Sequence, residues 1–519
     1  MKRHFTTEIT ENTEEDKASV EQEGSPQTAL RPALIALSDL SVCSVISVVN
    51  CLSPCGENTR SDGARAMMNL EGAKVTVMGL GRFGGGAGVT RWLAARGATV
   101  LVTDIEPADK LKASVESLSD LTSRGIVSLR LGEHNVSDFT TCDLVVANPA
   151  VPKPWDNRFL RAAWAAGVPV TTEIQLLVER LPARENIIGI TGSAGKSTTS
   201  AMIHHALNGS GLSAVLGGNI GGSLLGTLDQ IKSSTRVVLE LSSAMLCWLG
   251  GLAKVPPSEL GSAPAPTWSP HIAVATNFSP NHLDWHGDLA HYRRSKQVLL
   301  AAQKIGDIAI IGPTSETSHW KHAPAAQRIV PTAEIDGLAI PGKHNRINAG
   351  VAVEAAVAAG ASREAAIAAV RTVPGLPHRL QRVPSRAGLR CFNDSKSTTP
   401  ESCLLAVRAF DEHGECGSSR VHLIVGGYDK GSDLAPIGRL ASTLGGLYTI
   451  GKTGPAIAKA SEGRAHECGT LDRAVAAALD HTKDGDVILL SPACASWDQF
   501  ENYEQRGDLF ASLVRGTSL

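Results

Sequence analysis

Residues 187–199 read Ile-Ile-Gly-Ile-Thr-Gly-Ser-Ala-Gly-Lys-Ser-Thr-Thr. Ile187 to Ile190 form a short apolar run, Thr191 to Gly195 are mostly small, and Lys196 opens a stretch whose helical spacing continues through Leu207. A strand, a glycine turn, Lys-Ser and a helix are the parts that hold a polyphosphate. Glycines let backbone N–H groups point inward, the helix start adds partial positive charge, Lys196 reaches the outer phosphates, and a hydroxyl of Ser197 or Thr198 ligates magnesium. The match to Gly-x-x-x-x-Gly-Lys-Ser is imperfect. Ile190 stands where the first glycine belongs, flanked by Gly189 and Gly192. The competing reading is a chance Gly-Lys-Ser in a turn, and the flanking strand and helix weigh against it.

Phosphoryl transfer needs a phosphate cradle, magnesium with oxygen ligands, and positive charge on the moving group. Glu240 ends the apolar run Arg236-Val-Val-Leu-Glu and can supply a magnesium contact. His282, Asp284 and His286 could form a zinc cluster, but Asn281 and Gly287 suggest a loop and no further ligand is spaced to close the site. A second magnesium or phosphate contact suits them better. Lys296 follows Tyr292-Arg-Arg-Ser and precedes an apolar run, where a solvated helix lysine is the ordinary expectation. Cys494 lies between Ala493 and Ala495, which favours a buried structural thiol over a nucleophile. Further upstream, Gly79-Leu-Gly81-Arg-Phe-Gly84 joins two strand-like runs, and Asp104 follows about twenty positions on. That is the dinucleotide fingerprint, weak when taken alone because the pattern serves any phosphate-bearing nucleotide.

The elements carrying these residues alternate strand and helix, which specifies an α/β fold with parallel sheets. At 519 residues the chain is too long for one core, and length alone suggests roughly three domains. An apolar content of 43% with 19% charged residues is that of a globular protein, and a formal net charge of −2 leaves no footprint for nucleic acid or an anionic membrane. Ten cysteines are scattered without a C-x-x-C, so reduced thiols in a cytoplasm are expected. Residues 8–23 are acidic and poor in apolar residues, and residues 40–52 are too short and serine-rich to span a bilayer. Residues 1–66 are therefore expected to be a disordered extension, or to precede a true start at Met67 or Met68. Residues 250–270, rich in Pro, Gly, Ser and Ala, read as an insertion or flexible loop. A boundary falls near 372–379, and strands at 421–425 and 486–490 mark a last α/β region.

Eight stretches then stand in order: Thr-Gly-Ser-Ala-Gly-Lys-Ser-Thr (191–198), Gly-Gly-Asn-Ile-Gly (217–221), Leu-Glu-Leu-Ser-Ser (239–243), Tyr-Arg-Arg-Ser-Lys (292–296), Gly-Lys-His-Asn-Arg-Ile-Asn (342–348), Gly-Leu-Pro-His-Arg (375–379), Asn-Asp-Ser-Lys-Ser-Thr (393–398) and Ser-Pro-Ala-Cys-Ala-Ser-Trp-Asp-Gln-Phe (491–500). In them the chain resembles the Mur ligases, ATP-dependent amide-bond-forming enzymes of peptidoglycan synthesis. The last three stretches resemble most the branch that adds D-glutamate to UDP-N-acetylmuramoyl-L-alanine. The resemblance covers residues 70–519. It implies three domains: a Rossmann-like UDP-binding domain (67–172), a central P-loop ATPase-type parallel sheet (173–375) and a Rossmann-like amino-acid-binding domain (376–519).

The resemblance also implies roles. Lys196, Glu240, His282 and Lys296 would be catalytic. Gly192, Ser193, Ala194, Gly195, Lys196, Ser197, Thr198, Asn345, Asn348, Arg379, Asp394 and Lys396 would hold ATP. Gly81, Arg82, Phe83, Asp104, Asn148 and Asn219 would hold the UDP substrate, and Thr398, Lys430, Ser496 and Tyr503 would hold D-glutamate. Ser197, Glu240 and His282, with Lys296 if carbamylated, would serve two magnesium ions. A cytoplasmic monomer is expected. Three features depart from the family pattern: a His282–Lys296 spacing one residue short, the turn at 82–86 and the insertion at 250–270.

Three rivals compete. Another amino-acid-adding Mur ligase or a folylpolyglutamate synthetase is opposed by Lys-Ser-Thr after the glycine turn and by the 491–500 stretch. An NAD-dependent oxidoreductase would leave the phosphate loop unexplained. A non-catalytic nucleotide-binding regulator would have no use for Lys196, Glu240, His282 and Lys296 together.

Overall fold

The computed structural model describes residues 68–81, 84–313, 315–318, 320, 326–385, 389–412, 415–428 and 431–516. The expectations for residues 1–66 and Met67, and those for Arg82, Phe83 and Lys430, lie outside the described residues.

Three sheets are built in turn along the chain. The first orders β1 (Lys74–Met78), β2 (Thr99–Asp104), β3 (Val127–Leu131), β4 (Leu144–Ala147) and β5 (Val170–Thr171) as β3-β2-β1-β4-β5, all parallel. The second orders β6 (Ile187–Thr191), β7 (Ala214–Gly218), β8 (Arg236–Glu240), β9 (Ile272–Ala275), β10 (Ile308–Ile311) and β11 (Gln327–Ile329) as β11-β10-β9-β6-β8-β7, again all parallel. The third contains β12 (Gln381–Val383), β13 (Arg390–Asn393), β14 (Val421–Gly426), β15 (Gly446–Ile450), β16 (Ala465–Gly469) and β17 (Val487–Leu490). Its order is β12-β13-β17-β14-β15-β16, with β12 antiparallel to its neighbour.

Parallel strands carry helices on both faces and so read as continuous apolar runs. All five residues of β6 are buried, as are the last four of β8 and all four of β9. Ile188, Ile190, Val238 and Val274 pack with Met202, Ile203 and Leu207 of helix Lys196–Gly209, and with Val351, Ala352 and Ala355 of helix Lys343–Ala358. Each fully buried Ile or Leu contributes about 1.5–3 kcal/mol, so this core fixes the strand ends on which the phosphate loop rests. In the first sheet the strand order reverses between β1 and β4, the place where such sheets open a ligand crevice. Among the described residues no helix is long and apolar enough to cross a membrane.

Two local expectations are corrected. Residues 250–270 are not a flexible loop. They form 3-10 turns at Leu252–Lys254 and Pro257–Ser262, because Leu252 and Ala253 are buried and Leu260 and Trp268 pack on the core. The His282 region is a single helical turn, Leu283–His286, rather than a loop, entered through His282 at φ 52.

Candidate active site

The phosphate loop is shaped by two backbone requirements. Gly195 caps helix Lys196–Gly209 with φ 75, a left-handed conformation that a side chain would strain. A Cβ on Gly192 would lie 1.9 Å from Thr276 Oγ1, so only glycine fits there. The loop is clamped from the end of β9. Ala194 N donates to Asn277 Oδ1 (2.8 Å), Thr276 Oγ1 donates to Ala194 O (2.7 Å), and Ser193 N donates to Asn277 O (3.1 Å). Ser193 Oγ lies 2.9 Å from Tyr292 OH and donates to Ser279 O at 2.8 Å.

Two lysines converge on this loop. Lys196 Nζ donates to Gly192 O at 2.9 Å and to Ser193 O at 3.3 Å. Lys296 Nζ donates to the same Gly192 oxygen at 2.7 Å and sits 4.8 Å over the Tyr292 ring. Lys296 is not a solvated helix lysine: it is 1% exposed. Burial, then the Lys196 ammonium, hold its amine well below the usual lysine range, against the pull of Glu240. Lys196 is lowered too, by burial and by Arg379, again against Glu240. Two lysine Nζ atoms donating to one carbonyl make a donor-rich pocket suited to a polyanion.

Glu240, at the end of β8, is fully buried. Its Oε1 accepts from Asn219 Nδ2 at 2.8 Å, while its Oε2 has no hydrogen-bond partner. A buried carboxylate oxygen left open beside two lysines is a hard ligand waiting for a cation or a donor. Ser197 and Thr198 occupy the first turn of the helix behind it. Among the described residues no three His, Cys, Asp or Glu side chains are grouped to hold a metal ion. That donor set fits magnesium, which keeps waters and substrate phosphates as ligands and needs one or two protein oxygens. The exposed His282 lies near both lysines, and burial, Lys296 and Lys196 all lower its imidazole. His286 is not grouped with it. That ring is buried and bonds Ser243 Oγ (2.9 Å) and His291 Nδ1 (2.9 Å).

The remaining assigned residues fall into three places. Asn348 lies against the loop, its Oδ1 2.7 Å from where a Gly195 Cβ would stand, while Asn345 Nδ2 donates to Pro341 O at 2.5 Å. Arg379, Asp394 and Lys396 gather at the C-terminal ends of β13 and β17. Asp394 accepts from Leu380 N (3.0 Å) and Ser491 Oγ (2.8 Å), and burial raises its carboxyl to about 6. Lys396 Nζ lies 5.1 Å over the Tyr503 ring. Ser496 is buried and Thr398 half-buried. In the first sheet, Asp104 Oδ2 accepts from Gly81 N at 3.0 Å, and Asn148 packs against Gly79 and Gly81 at the β1–β4 reversal.

Sequence reasoning missed several residues that shape the site. Asn277 ends β9 and could have been found by the rule that strand ends face the ligand. Arg506 carries no sequence signal: an arginine on a helix reads as surface. It is fully buried and donates to Ser395 O (2.9 Å), Ser395 Oγ (3.0 Å), Cys494 O (3.1 Å) and Ala495 O (3.2 Å). It thereby ties the 393–398 loop to the 491–496 loop. Cys494 is buried, as expected of a structural thiol.

Comparison with known proteins agrees with this geometry. Residues 190–339 match the Mur ligase middle domain, and residues 378–494 match the Mur ligase glutamate ligase domain. The chain is 33% identical to UDP-N-acetylmuramoylalanine--D-glutamate ligase of Roseiflexus sp. (strain RS-1), over 86% of this chain and 99% of that protein. It is 34% identical to the protein of the same name from Ruegeria pomeroyi, over 86% of this chain and 97% of the relative. In fold it is similar to UDP-N-acetylmuramate-alanine ligase of Thermotoga maritima (TM-score 0.50, 18% identity, 85% of this chain and 98% of that one). With a phosphate loop, a half-open buried glutamate, a buried lysine and relatives aligned nearly end to end, the chain belongs to the Mur ligase family.

Proposed function

We propose that the protein is an ATP-dependent ligase that joins D-glutamate to UDP-N-acetylmuramoyl-L-alanine in the making of peptidoglycan precursors. The observation that carries this reading is the convergence of Lys196 and Lys296 on the Gly192 carbonyl beside the open oxygen of Glu240. A carboxylate that attacks ATP is anion meeting anion, so the site must first neutralise charge. Lys196 draws the γ-phosphate. The substrate carboxylate oxygen bonds to that phosphorus as ADP leaves, giving an acyl phosphate. The amine of D-glutamate then attacks the acyl carbon and loses a proton, and the tetrahedral intermediate collapses with loss of phosphate.

In this reading Gly192 to Thr198, Asn345, Asn348, Arg379, Asp394 and Lys396 hold ATP. Gly81, Asp104, Asn148 and Asn219, with Arg82 and Phe83 from the same turn, hold the UDP substrate. Thr398, Lys430, Ser496 and Tyr503 hold D-glutamate. Ser197 and Glu240 would hold one magnesium ion, and His282 with carbamylated Lys296 a second. Bound magnesium supplies charge neutralisation between the two anions. Carbamylation joins carbon dioxide to a neutral amine and releases a proton, and burial with the Lys196 charge keeps the Lys296 amine neutral far more readily than a free lysine. Incubation with 13C-bicarbonate is expected to give a carbamate carbon signal that Lys296→Met lacks. The same reading carries a cytoplasmic place of action and a monomer.

The test is phosphate release by purified enzyme with ATP and UDP-N-acetylmuramoyl-L-alanine. Release is expected to require D-glutamate. Equal release with L-alanine, L-lysine or meso-diaminopimelate contradicts the assignment.

A further inference from the structure

His286 and His291 are buried imidazoles that the proposed chemistry leaves unused, and their bonding ties two parts of the site together. His286 is fully buried and packs on Trp285 (ring centroids 4.4 Å apart) and Tyr292 (5.2 Å). Its Nε2 lies 2.9 Å from Ser243 Oγ and its Nδ1 lies 2.9 Å from His291 Nδ1. Two rings whose Nδ1 atoms meet at 2.9 Å share one proton between those atoms.

The contacts let the proton chain run either way: with the His291 proton on Nδ1, that N–H donates to His286 Nδ1 and His286 Nε2–H donates to Ser243 Oγ. The backbone carbonyls of Leu252 and Val255 approach His291 and favour a proton on its ring, although its Nε2 makes no hydrogen bond of good geometry. With the His291 proton on Nε2, its Nδ1 accepts from His286 Nδ1–H. His286 Nε2 then accepts from the Ser243 hydroxyl. Trp155, in the segment after β4, backs His291 at 4.5 Å.

His286 stands between the two segments that carry Glu240 and His282, the residues assigned to magnesium. Ser243 begins the helix that follows β8, whose last residue is Glu240. The backbone N–H of His286 donates to His282 O at 3.0 Å, closing the turn that His282 enters at φ 52. We propose that His286 is a positioning residue: through Ser243 on one side and the His282 turn on the other, it holds the Glu240 carboxylate and the His282 imidazole at the separation the bound cations need. This rests on the assignment of Glu240 and His282 to magnesium.

The test compares Ser243→Ala, His286→Ala and His286→Gln in the full-length enzyme, with Glu240→Ala as control. Mn2+ binding in the presence of a non-hydrolysable ATP analogue is followed by electron paramagnetic resonance, and the Mg2+ concentration for half-maximal activity is measured alongside. Ser243→Ala and His286→Ala are expected to weaken Mn2+ about tenfold or more, the usual effect of removing a partner behind a ligand. The KM for D-glutamate is expected to be unchanged. His286→Gln, whose amide can accept from Ser243, is expected to recover most of the affinity. If Glu240→Ala weakens Mn2+ but Ser243→Ala and His286→Ala do not, or if the Gln and Ala variants are alike, the positioning role is wrong. If Glu240→Ala itself leaves Mn2+ binding unchanged, the metal assignment fails instead. Should His286→Ala not fold, Ser243→Ala decides the matter.

Discussion

At the scale of single residues, Asp394 shows what the site costs the fold. Its carboxyl is buried beneath the third sheet's C-terminal edge and raised to about 6, chiefly by burial, against hydrogen bonds from Ser491 and Leu380. An acid raised in the folded state holds its proton longer there, so its favourable contribution is complete below the unfolded value of ~3.9 and is lost as pH rises through about 6. Above pH 7 the ionised group then costs about 3 kcal/mol. Asp394→Asn removes that cost but keeps one acceptor instead of two, a loss of about 1 kcal/mol. The variant is therefore expected to be about 2 kcal/mol more stable than wild type at pH 8 and less stable at pH 4, by denaturant unfolding, while losing ATP affinity. An equal effect at both pH values would contradict the account. Lys296 carries the same lesson. In sequence it is a helix lysine like any other, and its burial against Gly192 is a tertiary fact that spacing cannot reveal. The burial of His286, Tyr292 and Arg506 was illegible for the same reason, since each acquires a partner from a segment distant in the chain.

At the scale of elements, the phosphate loop depends on two glycines for different reasons. Gly195 has φ 75, and a Cβ there would also press on Asn348 Oδ1. Gly211, just past the end of the helix that Gly195 caps, has φ 79, and a Cβ added there would meet nothing within 4 Å. Both Gly→Ala variants should lose about 1–2 kcal/mol from backbone strain. Gly195→Ala is expected in addition to raise the KM for ATP at least tenfold, and Gly211→Ala to leave it unchanged. Equal KM values would show that Asn348 contact is immaterial. The strands that frame the loop were legible because parallel strands buried on both faces announce themselves as apolar runs: β1, β2, β4, β6, β8, β9, β14 and β17 stand where those runs lie. β3, β15 and β16 were not, because polar residues such as Arg130, Thr449 and Glu467 interrupt them. β7 was hidden by its ending in Gly217-Gly218, which reads as loop. The packing of 250–270 was hidden by proline and glycine, although Leu252, Leu260 and Trp268 anchor it.

At the scale of the whole molecule, each sheet's strand ends carry one group of the residues proposed for the reaction. β1 and β4 end at Asn148 and the crevice proposed for the sugar nucleotide, β6, β8 and β9 at the loop proposed for ATP phosphates, and β13 and β17 at the Asp394 cluster. Arg379 joins the last two, since its charge acts on Lys196 and on Asp394 together. Arg379→Ala is expected to raise the KM for ATP at least tenfold and to leave the KM for the UDP substrate within twofold, by steady-state kinetics. A rise in the UDP-substrate KM alone would place Arg379 elsewhere. The central claim is that ATP's γ-phosphate goes to a carboxylate before the amide bond forms. Substrate whose L-alanyl carboxylate is labelled with 18O tests it directly. The account predicts one labelled oxygen transferred to inorganic phosphate in each turnover. Label found in water or in AMP, with unlabelled phosphate, would contradict it.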